Sequence, residues 1–356
     1  MTLLYLQGFE GFPASGDRED LDLEFDFVDN VATTEAGITT GYGTGQAAFV
    51  HNDNNTETAL RLPIAGLSSQ DDWIVGLRFY TDYNYYRAFL IESPILEFRN
   101  CVNGGLLGVS PVSAGYLRVR NGAGTVLANV SRNLTTRVWH YLEVKVKFHA
   151  TTGSFEVRLN GETVASGSNV NTVGTATQTR PTMLYLGNAG DAVKTRVDDI
   201  YICDDQGATH NDFLGDITIR RLSTSGAGNS TQFTPSIAMA NWLLVRDLTG
   251  TDDDTTYVQS DTATEKDTYA FTDISDDPAS FKAVAVNSYC KKSDAGSRNF
   301  VHVARSSTTE TDSSVIYPAA AQYRYLQSLY TVDPNTSAAW TKAGLNAAEF
   351  GFKVNA

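Results

Sequence analysis

Ser154-Phe155-Glu156-Val157-Arg158-Leu159-Asn160-Gly161-Glu162-Thr163-Val164-Ala165 is the stretch that decides the architecture of the first half of the chain. Phe155, Val157 and Leu159 alternate with Ser154, Glu156 and Arg158, so a strand here carries apolar side chains on one face and polar ones on the other. The run then meets Asn160-Gly161. Both central residues of a type I′ turn need positive φ, which Asn and Gly tolerate best, and the pair predicts a tight hairpin with a returning strand from Glu162.

The same period of two extends outward. Residues 139–148 place Leu142, Val144, Val146 and Phe148 opposite Tyr141, Glu143, Lys145 and Lys147. In Trp73-Ile74-Val75-Gly76-Leu77-Arg78-Phe79-Tyr80, the residues Trp73, Val75, Leu77 and Phe79 share one face. Turn-forming clusters recur at short intervals, as in Asn52-Asp53-Asn54-Asn55, Asn121-Gly122-Ala123-Gly124 and Ser166-Gly167-Ser168. Short strands between such clusters predict an all-β sandwich rather than alternating strands and helices. Two short stretches, 319–328 and 338–348, are the candidate helices.

Length favours two domains. The small, polar, glycine-containing stretch 223–231 predicts an exposed connection. The expected layout is a sandwich over 1–206, a connecting strand and linker over 207–232, and a β-rich domain for docking or oligomerisation over 233–356. Strands are expected in that last domain at 240–245, 270–274, 281–286, 300–304 and 350–354.

Composition narrows the function classes. Hydrophobic residues make up 42% of the 356, and charged residues 19%, a globular balance. Lys and Arg number 27 against 41 Asp and Glu, giving a net charge of -14 with no basic run, which argues against nucleic acid as a partner. No apolar run approaches the ~20 residues of a membrane helix, so no membrane insertion is expected. The opening MTLLYLQGFEGF lacks a basic leader and reads as a strand, which predicts folding in a cytoplasm. Cys101, Cys203 and Cys290 are sparse and odd in number, and are expected to be reduced.

Several motifs imitate chemistry. Glu24-Phe25-Asp26-Phe27-Val28-Asp29 is similar to the Glu-x-Asp-x-x-Glu strand of glucanases of the sandwich class, where one carboxylate attacks the anomeric carbon and another protonates the leaving oxygen. As a strand it would put Glu24 and Asp26 on one face, but its last position is Asp and it lies near the N-terminus. It is read as a solvated edge, and no catalytic residue is assigned. Gly43-Thr44-Gly45-Gln46-Ala47-Ala48 imitates a dinucleotide fingerprint without the helix that motif requires, and is read as a β-turn. His51, His140, His149, His210 and His302 show no zinc spacing. The oxygen-rich loops 52–55 and 252–254 could take a hard cation, but solvation explains them as well. No metal and no cofactor are expected. Tyr80, Tyr83, Tyr85, Tyr86 and Arg87 form the densest aromatic cluster. Amphipathic rings of this kind cover a sheet face, build a subunit interface or stack on sugars. These five are the candidate glycan or interface residues.

Four pieces in order carry a resemblance over residues 1 to about 206: residues 73–79, 139–144, the hairpin 153–161, and Val197-Asp198-Asp199-Ile200-Tyr201-Ile202. Together they resemble the concanavalin A-like or laminin-G-like jelly roll, whose fold is shared by lectins, enzymes and scaffolds. The whole chain also resembles virion structural proteins of tailed bacteriophages. The stretches that carry this are residues 3–10, then 198–201 continuing through Asn211-Asp212-Phe213-Leu214-Gly215-Asp216, then 332–336, 339–341 and 349–353. That resemblance implies a non-enzymatic accessory tail or capsid-surface (decoration) protein, located in the virion after assembly in a host cytoplasm. It implies other virion proteins as partners and a homo-oligomer, with a trimer expected. A host-glycan-binding adhesin is the alternative, with a host-surface polysaccharide as its ligand, and a polysaccharide hydrolase is the third reading.

Overall fold

The computed structural model describes residues 2–355 apart from 14–15, 17–20, 23, 28–35, 44, 52–57, 82–93, 101–103, 113–115, 131, 133, 178, 190–193 and 247–251. The chain forms two compact units, Met1–Arg220 and Arg221–Ala356.

The first unit opens with β1 (Leu3–Gln7), β2 (Asp26–Phe27), β3 (Ala36–Thr40), β4 (Gln46–His51) and β5 (Thr58–Pro63). It continues with β6 (Asp72–Thr81), β7 (Leu96–Arg99), β8 (Gly105–Val112), β9 (Tyr116–Asn121) and β10 (Val126–Val130). It closes with β11 (His140–Lys147), β12 (Gly153–Leu159), β13 (Glu162–Val170), β14 (Met183–Ala189) and β15 (Lys194–Asp204). One sheet runs β13-β12-β11-β6-β15-β4-β3, with β1 also paired to β15. The other runs β10-β9-β8-β7-β14-β5-β2. Neighbouring strands are antiparallel throughout, and the unit is a jelly-roll sandwich, the fold class the sequence predicts.

The expected hairpin is present between β12 and β13. Asn160 and Gly161 take φ of 52° and 81°, both left-handed as a type I′ turn requires. Leu142, Val144 and Val146 pair with Leu159, Val157 and Phe155 on one side and with Leu77, Val75 and Trp73 on the other. This continuous apolar layer faces the second sheet, where Leu60, Leu96, Phe98, Val109, Leu117, Val119 and Leu184 are equally buried. Phe98 meets Phe148 edge-on at 5.2 Å between ring centroids. One expectation fails here in an informative way. The alternation in 73–80 and 139–148 predicts strands buried on one side, yet Arg78, Tyr141 and Glu143 on the opposite face are buried too. The reason is a segment of chain lying over them.

That segment also moves the domain boundary. Residues 207–220 belong to the first unit, because Leu214, Gly215 and Ile219 hydrogen-bond back onto its outer sheet face. Residues 224–231, expected to be linker, form β16 (Thr224–Thr231), the edge strand of the second unit's main sheet. An edge strand needs only one row of backbone partners, so small polar side chains suffice there.

The second unit adds β17 (Thr234–Pro235), β18 (Val258–Gln259), β19 (Lys266–Phe271) and β20 (Val284–Cys290). It ends with β21 (Phe300–Ser306), β22 (Thr309–Asp312), β23 (Arg324–Tyr330) and β24 (Glu349–Val354). A five-stranded sheet runs β16-β19-β24-β21-β22, accompanied by the pairs β17-β18 and β20-β23. Residues 240–245 were expected as a strand and instead contain the one-turn helix α1 (Asn241–Leu244). The Asn241 amide donates to the Phe233 carbonyl and to the buried Asp267 carboxylate, which closes the turn. Residues 319–328 were expected as a helix. Their second half is β23, since Tyr325 and Tyr330 find cross-strand partners in Tyr289 and Val284. The 338–348 candidate does contain a helix, α2 (Lys342–Asn346), capped by the Thr341 hydroxyl accepting from Gly344 N–H. Among the described residues no helix is long and apolar enough to cross a membrane.

Ala304, Tyr330, Trp340, Leu345, Ala348 and Phe350 form the core of this unit, with Phe271, Phe281, Val284 and Val286 packed against it. Beside that core His302 is fully buried between the Ser288 and Ser328 hydroxyls, the latter 2.8 Å from Nδ1. Burial pushes its pKa down to about 4, because the imidazolium would lose its hydration. The unfolded chain therefore takes up a proton near pH 6.5 that the folded chain refuses. Stability from this group is present above pH 6.5 and is lost as the pH falls through about 4. NMR titration is expected to place the His302 midpoint near pH 4, and a midpoint at an ordinary histidine value would contradict the burial argument.

Candidate functional site

The outer face of the β11-β6-β15-β4 sheet is where functional groups converge. Register arranges them in rows that cross the strands. Phe49, Arg196 and Tyr80 make one row, which Trp139 extends. Asp198, Arg78 and Tyr141 make the next, and Tyr201, Gly76 and Glu143 a third.

The third row depends on a glycine. A Cβ on Gly76 would lie 2.0 Å from the Tyr201 ring, so only a bare backbone lets that ring lie on the sheet. The Tyr201 hydroxyl then donates to Glu143 Oε1 at 2.6 Å, and Gly215 N–H donates to the same oxygen at 2.9 Å. Burial pushes the Glu143 carboxyl above the ordinary range, with those two donors pulling the other way.

The second row depends on a β-bulge. The pairing of β15 with β6 shifts between Asp198 and Tyr201, and Asp199 takes φ 48°, a left-handed conformation that Asp tolerates better than most residues. Asp198 accepts from Tyr42 N–H at 2.9 Å. Asp199 accepts from Ile219 N–H at 2.7 Å and from Arg78 Nε at 2.6 Å. Burial raises both carboxyls, and Asp199 pushes Asp198 further in the same direction. Glu10, also near Asp199, is pushed up by burial to about 8.

Arg78 organises this row. Beyond Asp199 it pairs with Asp216 and donates to the Ile217 carbonyl at 3.0 Å, while its guanidinium carbon sits 3.7 Å from the centroid of the Tyr42 ring. Burial opposes its charge, but Asp199 and Asp216 more than offset that. Residues 212–219 thus form a strap over the face. Phe213 lies under Arg158 at one end, and Ile219 abuts Gly8 at the other, where a Cβ would lie 2.8 Å away.

The first row is left beside the strap. Tyr80 and Trp139 are half-buried, with centroids 5.4 Å apart, and Trp139 meets Tyr42 edge-on at 6.3 Å. The Arg196 guanidinium lies over Tyr80 at 4.8 Å, and the Lys194 ammonium over Phe49 at 3.7 Å. Of the five candidates named from sequence, Tyr80 is in this row, and Tyr83, Tyr85, Tyr86 and Arg87 lie outside the described residues. Sequence reading missed Trp139, Tyr42 and Arg196 as its neighbours, because cross-strand register brings in Arg196 and Trp139, and a hydrogen bond from Tyr42 N–H to Asp198 brings in the turn. The one available signal for the second row was Asp198-Asp199, two carboxylates inside an apolar strand.

Glu24 is not on a strand face. It lies in a turn closed by Phe25 N–H to the Leu21 carbonyl, ahead of β2, and its carboxylate accepts from the Tyr5 hydroxyl at 2.5 Å and Gln7 Nε2 at 2.6 Å. Burial pushes it up to about 7. Between β3 and β4, Gly41 N–H donates to the Gly45 carbonyl and Gly45 N–H to the Tyr42 carbonyl, as in the expected turn, with Thr44 outside the described residues. The loop 52–55 lies outside the described residues. Asp252 accepts from Thr256, Asp253 from Tyr289, and Asp254 pairs with Lys291. Among the described residues no group of three His, Cys, Asp or Glu is placed to hold a metal ion. Cys203 and Cys290 are free thiols that burial pushes up to about 12, and Cys101 lies outside the described residues.

No family model matches the chain, and no curated protein does so. Among solved structures, similarity extends over a little more than half of the chain. An endo-β-1,4-glucuronan lyase from the fungus Trichoderma reesei is 12% identical, with a TM-score of 0.43 over 57% of this chain and 96% of that one. The alginate lyase Aly36B is 11% identical, with a TM-score of 0.39 over 55% and 95%. Domain 4 of a GH43 extracellular arabinanase from Geobacillus stearothermophilus, in complex with arabinotriose, is 17% identical, with a TM-score of 0.38 over 57% and 92%. Likeness this distant carries no argument about activity.

Replacing Gly76 tests the packing beneath the strap. Gly76→Ala forces a methyl group into the Tyr201 ring and is expected to cost about 1–3 kcal/mol of stability by denaturant unfolding. A variant as stable as the parent protein would refute the assigned position of the ring.

Proposed function

We propose that the protein is a non-enzymatic structural component of a tailed-phage virion, an accessory tail or capsid-surface protein whose sandwich is a rigid outward module. One observation carries the non-enzymatic part. The carboxylates gathered on the outer sheet face are bonded to the protein's own backbone, Glu143 to Gly215 N–H and Asp199 to Ile219 N–H. Groups held this way serve to fasten the strap. Glu24, the residue with a glucanase-like sequence context, is similarly engaged by Tyr5 and Gln7. The virion assignment rests on the resemblance of the opening, strap and closing stretches to phage structural proteins. Other virion proteins are its partners, and the second unit is the element that oligomerises or docks.

Antibody labelling of purified particles is expected to decorate the virion, and label confined to unassembled protein would overturn the assignment. Light scattering is expected to give a trimer, and a monomer at micromolar concentration would remove the oligomeric part. Incubation with β-glucans is expected to release no reducing ends. Cleavage that disappears in Glu24→Gln would restore the hydrolase reading.

A second reading, recognition of a host-surface glycan from the same particle, is favoured by the half-buried rings of Tyr80 and Trp139 with the exposed Tyr42 beside them, since such rings stack on sugar faces. A glycan array probed with the full chain is expected to show binding, and silence across bacterial polysaccharides would end this reading.

A further inference from the structure

We infer that Asn160-Gly161 is a latent deamidation site, held shut in the folded protein by His140 and the Tyr141 backbone.

The chemistry starts from the sequence. An asparagine followed by glycine is open to attack on its side-chain Cγ by the glycine's own backbone nitrogen, which no Cβ shields. The Gly161 nitrogen gives up its proton and bonds to Asn160 Cγ, the bond from Cγ to Nδ2 breaks, and Nδ2 leaves as ammonia. Water then opens the succinimide ring at either carbonyl, giving aspartate or its β-linked isomer. Nothing beyond water is consumed. Burial does not prevent the reaction here. Both residues are exposed, and a Cβ on Gly161 would meet no atom within 4 Å.

Hydrogen bonds prevent it instead. His140 Nε2 lies 2.9 Å from the Thr135 carbonyl, which can only accept, so the ring proton is on Nε2 and Nδ1 carries a lone pair. Asn160 Nδ2 therefore donates to His140 Nδ1, at 3.2 Å. Tyr141 N–H donates to Asn160 Oδ1 at 2.8 Å, and Asn160 N–H donates back to the Tyr141 carbonyl. Both polar atoms of the carboxamide are thus tied to β11. Turning Cγ towards the Gly161 nitrogen means giving up these side-chain bonds, and ring closure waits on a near-attack geometry that the folded hairpin withholds. Local opening supplies it. An opened hairpin can then be marked permanently. The β-linked product adds a methylene to the main chain of the turn that sets β12 against β13, so the original register no longer fits.

Asn121-Gly122 supplies a comparison within the same chain. Asn121 Oδ1 accepts from Ala123 and Thr125 N–H, its Nδ2 donates to the Asn171 carbonyl, and Gly122 N–H is itself bound to the Leu106 carbonyl at 2.7 Å. None of these partners is His140.

The test is peptide mapping by mass spectrometry, with detection of isoaspartate, on the full chain kept at mildly alkaline pH. Asn160 in the folded protein is expected to convert at least about tenfold more slowly than in the urea-unfolded chain, the factor that two ordinary hydrogen bonds would set. His140→Phe keeps a ring beside Phe79 and removes the acceptor. It is expected to speed conversion at Asn160 severalfold while Asn121 stays as slow as in the parent. Equal rates at Asn160 in the folded and unfolded parent would overturn the proposal, and this comparison decides it if His140→Phe does not fold. A folded His140→Phe protein in which Asn160 reacts no faster would overturn the role given to His140. A rise at Asn121 and Asn160 together would do the same, since it marks a general loosening of the sandwich.

Discussion

The first unit is organised around one buried cation. Arg78 stands at the centre of a sheet face and joins three parts of the chain far apart in sequence: the bulge carboxylate Asp199, the strap at Asp216 and Ile217, and the Tyr42 ring of the β3–β4 turn. A guanidinium in such a place must have its charge and its N–H groups met, because an unmet buried charge costs several kcal/mol. Every one of those partners must therefore be in position at once. The bulge at Asp199, the bare backbone at Gly76 and the close approach of Gly8 to Ile219 are conditions for closing that arrangement.

The strap changes what the sandwich face can do. Without it, Glu143, Asp198, Asp199 and Tyr201 would form an open acidic and aromatic surface. With it, the carboxylates become anchors for backbone N–H groups, and the exposed chemistry shifts one row over, to rings and cations. The strap and this row of rings are set side by side by the same strand register.

Buried titratable groups give the two units opposite responses to pH. Glu10 and Glu24 are raised to about 8 and about 7 by burial, so the folded first unit retains protons that the unfolded chain releases near 4.5. Their contribution is complete below that ordinary value and is lost as the pH rises through 7 and 8. His302 in the second unit is depressed, so its contribution is lost on the acid side. Each direction follows from removing a group from water, and differs only because the carboxyl is neutral when protonated and the imidazole is neutral when not.

The sequence by itself determined the sandwich. Alternation in 73–80, 139–148 and 154–159, and the Asn160-Gly161 turn, are local signals, since side-chain direction along a strand and turn conformation depend on near neighbours alone. It was misleading where local preference met a distant partner. The 223–231 stretch reads as linker but gains a strand partner in β19, the 240–245 stretch is turned by Asn241 binding Asp267, and Glu24 is drawn off the strand face by Tyr5 and Gln7. The candidate site was legible only at Tyr80. Arg196 joins it by pairing with Tyr80, Trp139 by preceding the His140 that pairs with Phe79, and Tyr42 by its N–H bond to Asp198, while the strap reaches Arg78 across 138 residues. Tertiary structure alone decided these, because a cross-strand row is fixed by register, and register is a property of the whole sheet rather than of any one segment.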